Sequence, residues 1–134
     1  MTTGHSKELA KASLHRANKA LNAAKILLDY GHLEDAISRA YYAIHHAARA
    51  ILFIKGIKAK THRGVISSFG EHIVKKEIID KEFADILRKA FDLRQKSDYE
   101  IYAQFKKENV EEIINNAEKF ISKIKEILGI KGLL

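Results

Sequence analysis

Three short stretches of this chain carry the residue types best suited to chemistry: arginines, histidines and tyrosines. They lie at residues 38–46, 58–64 and 94–99. A guanidinium group binds phosphate in a bidentate manner, and an imidazole can transfer protons near neutral pH. These groups could act together if helical spacing places them on one face.

In the first stretch, Arg39, Tyr42 and His46 share one face of a predicted helix. Because Arg39 and His46 are seven residues apart, they are two turns apart, about 10 Å along the axis. A phosphodiester or a water molecule would fit between such groups. The other interpretation is a structural His46, which is the usual role of a lone histidine on a helix. His45 points about a third of a turn away. The opposite face is an apolar stripe typical of a core contact: Leu33, Ile37, Tyr41, Ile44, Ala48 and Ile51.

Arg94 occupies a position where an apolar residue is expected, on the same face as Phe83, Leu87 and Ala90. An unpaired guanidinium is costly to bury, so Arg94 must contact carboxylates, carbonyls or phosphate. One interpretation is an intrahelical ion pair with Asp98, extended to Tyr99. The other is a guanidinium that faces inward or toward an interface and binds phosphate.

The second stretch is a basic loop that leads into a short predicted helix. Thr61 is a suitable N-cap, which would place free backbone N–H groups and the positive end of the helix dipole beside several cations. That arrangement favours an anion site, whereas the alternative is a mobile, solvated loop. The chain has neither a P-loop nor a glycine-rich dinucleotide motif. The loop residues concerned are Lys58, Lys60, Thr61, His62, Arg63 and Gly64.

The composition of the chain excludes several classes of protein. At 134 residues without cysteine, the chain has the size of one domain and excludes both a disulfide framework and a cysteine-based zinc site. Its apolar runs are too short to cross a membrane and its first residues do not resemble a signal peptide, so we expect a cytoplasmic protein. No metal-ligand spacing appears, so neither a metal nor another cofactor is predicted. The net charge of +7 favours nucleotides, RNA or an acidic protein as partners, unless the lysines only solvate the surface.

The helices that must position these residues can be located from periodicity and capping residues. Glycine is expected just beyond three helix ends, at Gly31, Gly56 and Gly129. Asp80 and Asn109 are the predicted N-caps of the last two helices. The first three predicted helices span residues 6–29, 33–55 and 61–74. The fourth begins near residue 80, and the fifth begins near residue 109 and ends near residue 128. With no strand-like period, we predict one all-α domain over residues 1–134, an up-and-down bundle of four long helices and a short one.

The residues at 38–43, 60–64 and 94–99, in that order and spacing, resemble the small HEPN proteins of bacteria and archaea. The resemblance covers nearly the whole chain. It implies a helical bundle that is commonly a homodimer. It also implies that a minimal nucleotidyltransferase is the partner protein, and that the two proteins can form a toxin–antitoxin pair.

Many HEPN proteins are metal-independent endoribonucleases whose signature is Arg, four to six residues, then His. The resemblance implies that two copies meet across a dimer, where the Arg holds the scissile phosphate and the His serves in acid–base chemistry. In many toxins the signature lies late in the chain, where this sequence has Arg94, but no His follows Arg94. Arg39 with His45 or His46 fits the spacing in an earlier helix, and helical geometry favours His46.

The leading hypothesis is a dimeric, nucleotide- or RNA-binding HEPN module that acts with a minimal nucleotidyltransferase. In this hypothesis Arg39, Arg94 and the loop 60–64 contact phosphate, while Tyr42 and Tyr99 line the site. Tyr99 is also a candidate for modification by such a partner.

Two alternatives stay open. One is an endoribonuclease that uses Arg39 with His46, or Arg94 with Asp98 and Tyr99. The other is a non-catalytic protein-interaction module whose basic faces form only the dimer.

Overall fold

Five α-helices make up the fold in a computed structural model that describes residues 4–130. The third helix continues into a π-helical turn, Gly70–Val74. The bounds are α1 Gly4–Asp29, α2 Leu33–Ile54, α3 His62–Phe69, α4 Lys81–Tyr99 and α5 Lys107–Leu128. The described part of the chain contains no strand, which confirms the all-α prediction. None of its helices has the length and apolar character needed to cross a bilayer.

Helix α2 is the centre of the bundle and contacts all four other helices. Its most extensive packing is with α1, whose buried face is built mostly of small side chains: Ala10, Ser13, Ala17, Ala20 and Ala24. Small side chains let two helix backbones approach closely, and their spacing of three and four residues keeps them on one face. The Ser13 hydroxyl donates a hydrogen bond to the carbonyl oxygen of His46 (2.7 Å), which joins α1 to α2 beside the candidate site.

The predicted helix ends are largely confirmed. Gly31 has a φ of +80° and Gly129 a φ of +67°, backbone conformations that residues with a Cβ rarely adopt. At the start of α3 the backbone N–H of Gly64 donates to Thr61 Oγ1 (2.9 Å), so Thr61 is the N-cap.

The predicted N-cap of α5 was wrong. Helix α5 begins at Lys107, three residues earlier than an N-cap at Asn109 would give, and Asn109 lies in its first turn. There the Asn109 side chain accepts a hydrogen bond from the backbone N–H of Lys106 (2.9 Å), as the third residue of a capping box does. Asp80 does occupy the N-cap position of α4, but its side chain makes no capping hydrogen bond.

An aromatic core closes the far side of the bundle. Phe120 of α5 is fully buried, with its ring centroid 5.4 Å from that of Phe69 and 5.9 Å from that of Phe83. This core anchors α3, α4 and α5 to one another and so fixes α3 and α4 against α2.

Candidate functional site

Tyr41 lies at the centre of a cluster formed with the buried His45 and the half-buried His62, which we call the tyrosine–histidine cluster. Tyr41 and His45 are one turn apart on α2, and the start of α3 brings His62 against them. The Tyr41 hydroxyl oxygen is 2.6 Å from His62 Nδ1 and 3.5 Å from His45 Nδ1. The two imidazole centroids are 4.6 Å apart, and Phe91 of α4 covers the cluster from its other side.

Arg94 reaches this cluster from α4. Its Nε is 3.1 Å from Asp98 Oδ2, which confirms the intrahelical ion pair. The guanidinium carbon also lies 5.5 Å from the ring centroid of Tyr41 and 5.2 Å from that of Tyr42, within cation–π range. The ion pair therefore holds the guanidinium beside α2, while its phosphate-binding role stays a prediction.

Arg39 and His46 lie together on the other side of α2, as the helical spacing predicted. They line an open groove with Arg16, Lys19 and two alanines of α1. We call Arg16, Lys19, Arg39 and His46 the basic groove. Across residues 4–130, none of its arginine and lysine side chains has a carboxylate within ion-pair distance.

Tyr42 connects the cluster and the basic groove. The Arg39 guanidinium carbon lies 5.0 Å from the Tyr42 ring centroid, and the Arg94 guanidinium carbon lies 5.2 Å from it. The ring stacks with His46 at 6.0 Å and meets His62 edge-on at 5.8 Å. Contacts between neighbouring rings and guanidiniums therefore join the cluster, Arg94, Tyr42 and the basic groove, and we call this set of residues the cationic face.

Burial and positive neighbours keep the histidines of this face neutral. The pKa of His45 is lowered to about 3, first by burial and then by the nearby His62, His46, Arg49 and Arg94. The pKa of His46 is lowered to about 4, again first by burial and then by Arg49, Arg16 and Arg39.

The other two members of the cluster are uncharged as well. Burial, followed by Arg94 and Arg49, lowers the pKa of His62. Burial raises the pKa of Tyr41, an effect that Arg94 opposes only in part, so the phenol keeps its proton. At neutral pH the face therefore combines cationic guanidiniums with neutral imidazoles and a neutral phenol.

The remaining predicted residues do not all meet at this surface. His62 joins the cluster, but Arg63 lies over Phe91 (5.3 Å to the ring centroid) and lines a neighbouring groove with Arg88. Thr61 uses its hydroxyl to cap α3, and Lys60 is exposed. Tyr99, at the end of α4, is 75% exposed. The basic loop therefore contributes one residue to the cationic face.

Sequence reasoning missed two kinds of residue. Periodicity places Tyr41 in the core stripe and gives His45 no role, although their spacing of four residues puts them on one face. Arg16 and Lys19 lie outside the apolar stripe from which α1 is predicted. Among the described residues, no group of three histidine or acidic side chains is arranged to hold a metal ion.

Comparison with known proteins identifies the family. The model of the HEPN domain matches residues 10–127. The "Putative toxin MJ0605" of Methanocaldococcus jannaschii is 39% identical over 122 residues, which cover 91% of this chain and 90% of that protein. The "Putative toxin MJ0142" of the same organism is 31% identical over 134 residues, 100% of this chain and 90% of that protein. A UPF0332 protein of Thermotoga maritima is 34% identical over 113 residues, 84% of this chain and 86% of that protein. The chain thus belongs to the HEPN domain family.

Proposed function

We propose that this chain is a toxin-like HEPN module that binds RNA, or a nucleotide, through phosphate groups on the cationic face. One observation carries the proposal. Three arginines of this face, Arg16, Arg39 and Arg94, lie near its neutral histidines, and within residues 4–130 only Arg94 has an ion-pair partner.

Clustered guanidiniums repel one another, so a protein gains little stability from grouping them without carboxylates. Binding of RNA removes this repulsion, because each phosphodiester neutralises a positive charge, and it also releases the counterions condensed on the RNA. Arginine also offers a planar pair of donors that matches two phosphate oxygens. The neutral histidines add hydrogen-bonding groups without adding to the repulsion.

The partners follow from the family and the named relatives. Because two relatives carry toxin names, we propose that this protein acts in the cytoplasm with an antitoxin. The resemblance further suggests a homodimer and a minimal nucleotidyltransferase as that partner. Sedimentation of the purified protein tests the dimer, and a single species at the monomer mass would contradict it.

The binding proposal is tested by fluorescence anisotropy with a labelled single-stranded RNA. Arg39→Ala and Arg94→Ala should each weaken binding roughly tenfold to a hundredfold, because each removes a charge-assisted hydrogen bond. Lys119→Ala is the matched control, since it also removes one positive charge, but from an exposed pair with Glu82 (3.0 Å). Equal affinity of all four proteins would refute the proposal and favour a protein-interaction module.

A second candidate function is metal-independent RNA cleavage. It is favoured by the neutral imidazole of His46, which stands in the same groove as Arg39. A phosphate bound in this groove would offset the positive neighbours that lower the pKa of His46, and would so make the imidazole a better proton acceptor. Incubation of an RNA pool with the protein in EDTA tests it. We expect cleavage that His46→Ala abolishes while RNA binding is retained, whereas wild-type protein that leaves the RNA intact would exclude the activity for the isolated protein.

A further inference from the structure

The contacts of the Tyr41 hydroxyl constrain both histidines of the cluster. This hydroxyl faces the Nδ1 atoms of two imidazoles, at 2.6 Å for His62 and 3.5 Å for His45. Tyr41 is fully buried, so its hydroxyl has no access to bulk water. A phenol has one proton to donate, so it cannot donate to both nitrogens at once.

The distances decide which nitrogen receives the proton. A separation of 2.6 Å is typical of an O–H donor and shorter than an N–H donor usually gives. The Tyr41 hydroxyl therefore donates to His62 Nδ1. A neutral imidazole that accepts at Nδ1 carries its own proton on Nε2, so His62 is an N–H donor at that atom.

The neutral imidazole of His45 must then be the other tautomer, with its proton on Nδ1. Its Nδ1 faces an oxygen whose proton is already used, so only an Nδ1–H directed at that oxygen avoids lone-pair repulsion. At 3.5 Å this contact is weak, but the reversed arrangement would place two lone pairs against each other. His45 thus keeps its lone pair on Nε2.

We propose that Tyr41 is a positioning residue that fixes His45 and His62 in opposite neutral tautomers, so that the His62 Nε2–H donates to a phosphate oxygen of RNA on the cationic face. The ligand class rests on the function proposed above, whereas the tautomers do not. The Tyr42 ring centroid lies 5.8 Å from that of His62 and 5.2 Å from the Arg94 guanidinium carbon, so a phosphate bound at the Tyr42 ring would be near both donors. The phenol thereby makes the first residue of α3 an oriented donor.

Nitrogen-15 chemical shifts of the imidazoles at pH 7, without RNA, test the tautomers directly. We expect His62 in the Nε2–H form and His45 in the Nδ1–H form in the wild-type protein. Tyr41→Phe should shift His62 toward a mixture of tautomers, while Tyr42→Phe, which removes the neighbouring hydroxyl, should leave both unchanged. The same tautomer at both histidines in the wild type would overturn the proposal, even if Tyr41→Phe does not fold.

RNA affinity tests the role of the donor. Tyr41→Phe should weaken binding about tenfold without changing the salt dependence, because the number of charged contacts stays the same. If the two histidines have opposite tautomers in the wild-type protein but Tyr41→Phe binds RNA with the wild-type affinity, His62 is not the phosphate donor. If the wild-type protein binds no RNA, the proposed function fails while the tautomer assignment still stands.

Discussion

The neutral histidines predict a specific dependence of stability on pH. In an unfolded chain an imidazole titrates near pH 6.5, but in the fold the pKa of His45 is about 3 and that of His46 about 4. Between these values the unfolded state binds protons that the folded state rejects. The free energy of unfolding is therefore highest above pH 6.5 and falls as the pH decreases toward 3.

The size of the effect follows from linkage. For a group that titrates at 6.5 when unfolded and at about 3 when folded, lowering the pH from 7 to 5 removes about 2 kcal/mol from the free energy of unfolding. His45 is only 7% exposed, so little solvent screening reduces this figure. His46 and His62 are half-buried and add losses of the same sign but smaller size.

Urea unfolding at pH 7, 6 and 5 measures this loss. His45→Gln is the informative variant, because glutamine is polar but does not titrate. It should be less stable than wild type at pH 7, yet lose about 2 kcal/mol less between pH 7 and pH 5. His72→Gln, at an exposed position, is the matched control and should keep the wild-type dependence.

Two results would refute the reasoning. If His45→Gln loses as much stability between pH 7 and pH 5 as the wild-type protein, His45 is not held neutral in the fold. If the wild-type protein becomes more stable toward pH 5, the histidines gain protons on folding, and the guanidiniums around them do not repel those protons.

Three further substitutions test the packing that positions the site, each by urea unfolding at pH 7. Ser13→Ala should cost about 1 kcal/mol, because it removes the hydrogen bond to the backbone of His46 (2.7 Å); no change would mean that the bond does not hold α1 to α2. Phe120→Ala should cost about 3–5 kcal/mol by opening a cavity against Phe69 and Phe83, and a loss below about 1 kcal/mol would contradict that packing. Lys119→Ala should change stability by less than about 1 kcal/mol, since its ion pair with Glu82 is half exposed.

The helices could be predicted from the sequence because local patterns determine them. Small residues at steps of three and four marked the face of α1 that packs on α2, and Gly31 marked the end of that helix. The start of α5 differs from the prediction for a physical reason. Asparagine is favourable both as an N-cap and as the third residue of a capping box, and the apolar stripe from Val110 is compatible with either.

The candidate site was predicted only where it depends on a single helix. Arg39 and His46 share a groove because both lie on one face of α2, and Arg94 pairs with Asp98 because they are four residues apart. The contact between Tyr41 and His62 could not be predicted in this way. It depends on how the loop before α3 folds back on α2, which no local period encodes.

The basic loop is a second case in which sequence spacing did not predict which side chains meet. Lys60, Thr61, His62 and Arg63 were grouped as one anion site because they are consecutive. Once α3 forms, successive side chains point about 100° apart around its axis. His62 therefore faces α2 while Arg63 lies over Phe91, and the predicted group is divided.

The most direct test of the central claim is the salt dependence of RNA affinity. The slope of log K against log salt concentration counts the phosphates that the protein neutralises, at about 0.7 for each contact with a single strand. The double variant Arg39→Ala/Arg94→Ala should therefore have a slope smaller in magnitude by about 1.4 than the wild-type protein, and Lys119→Ala should keep the wild-type slope. If the double variant also keeps the wild-type slope, the cationic face is not where this protein binds RNA.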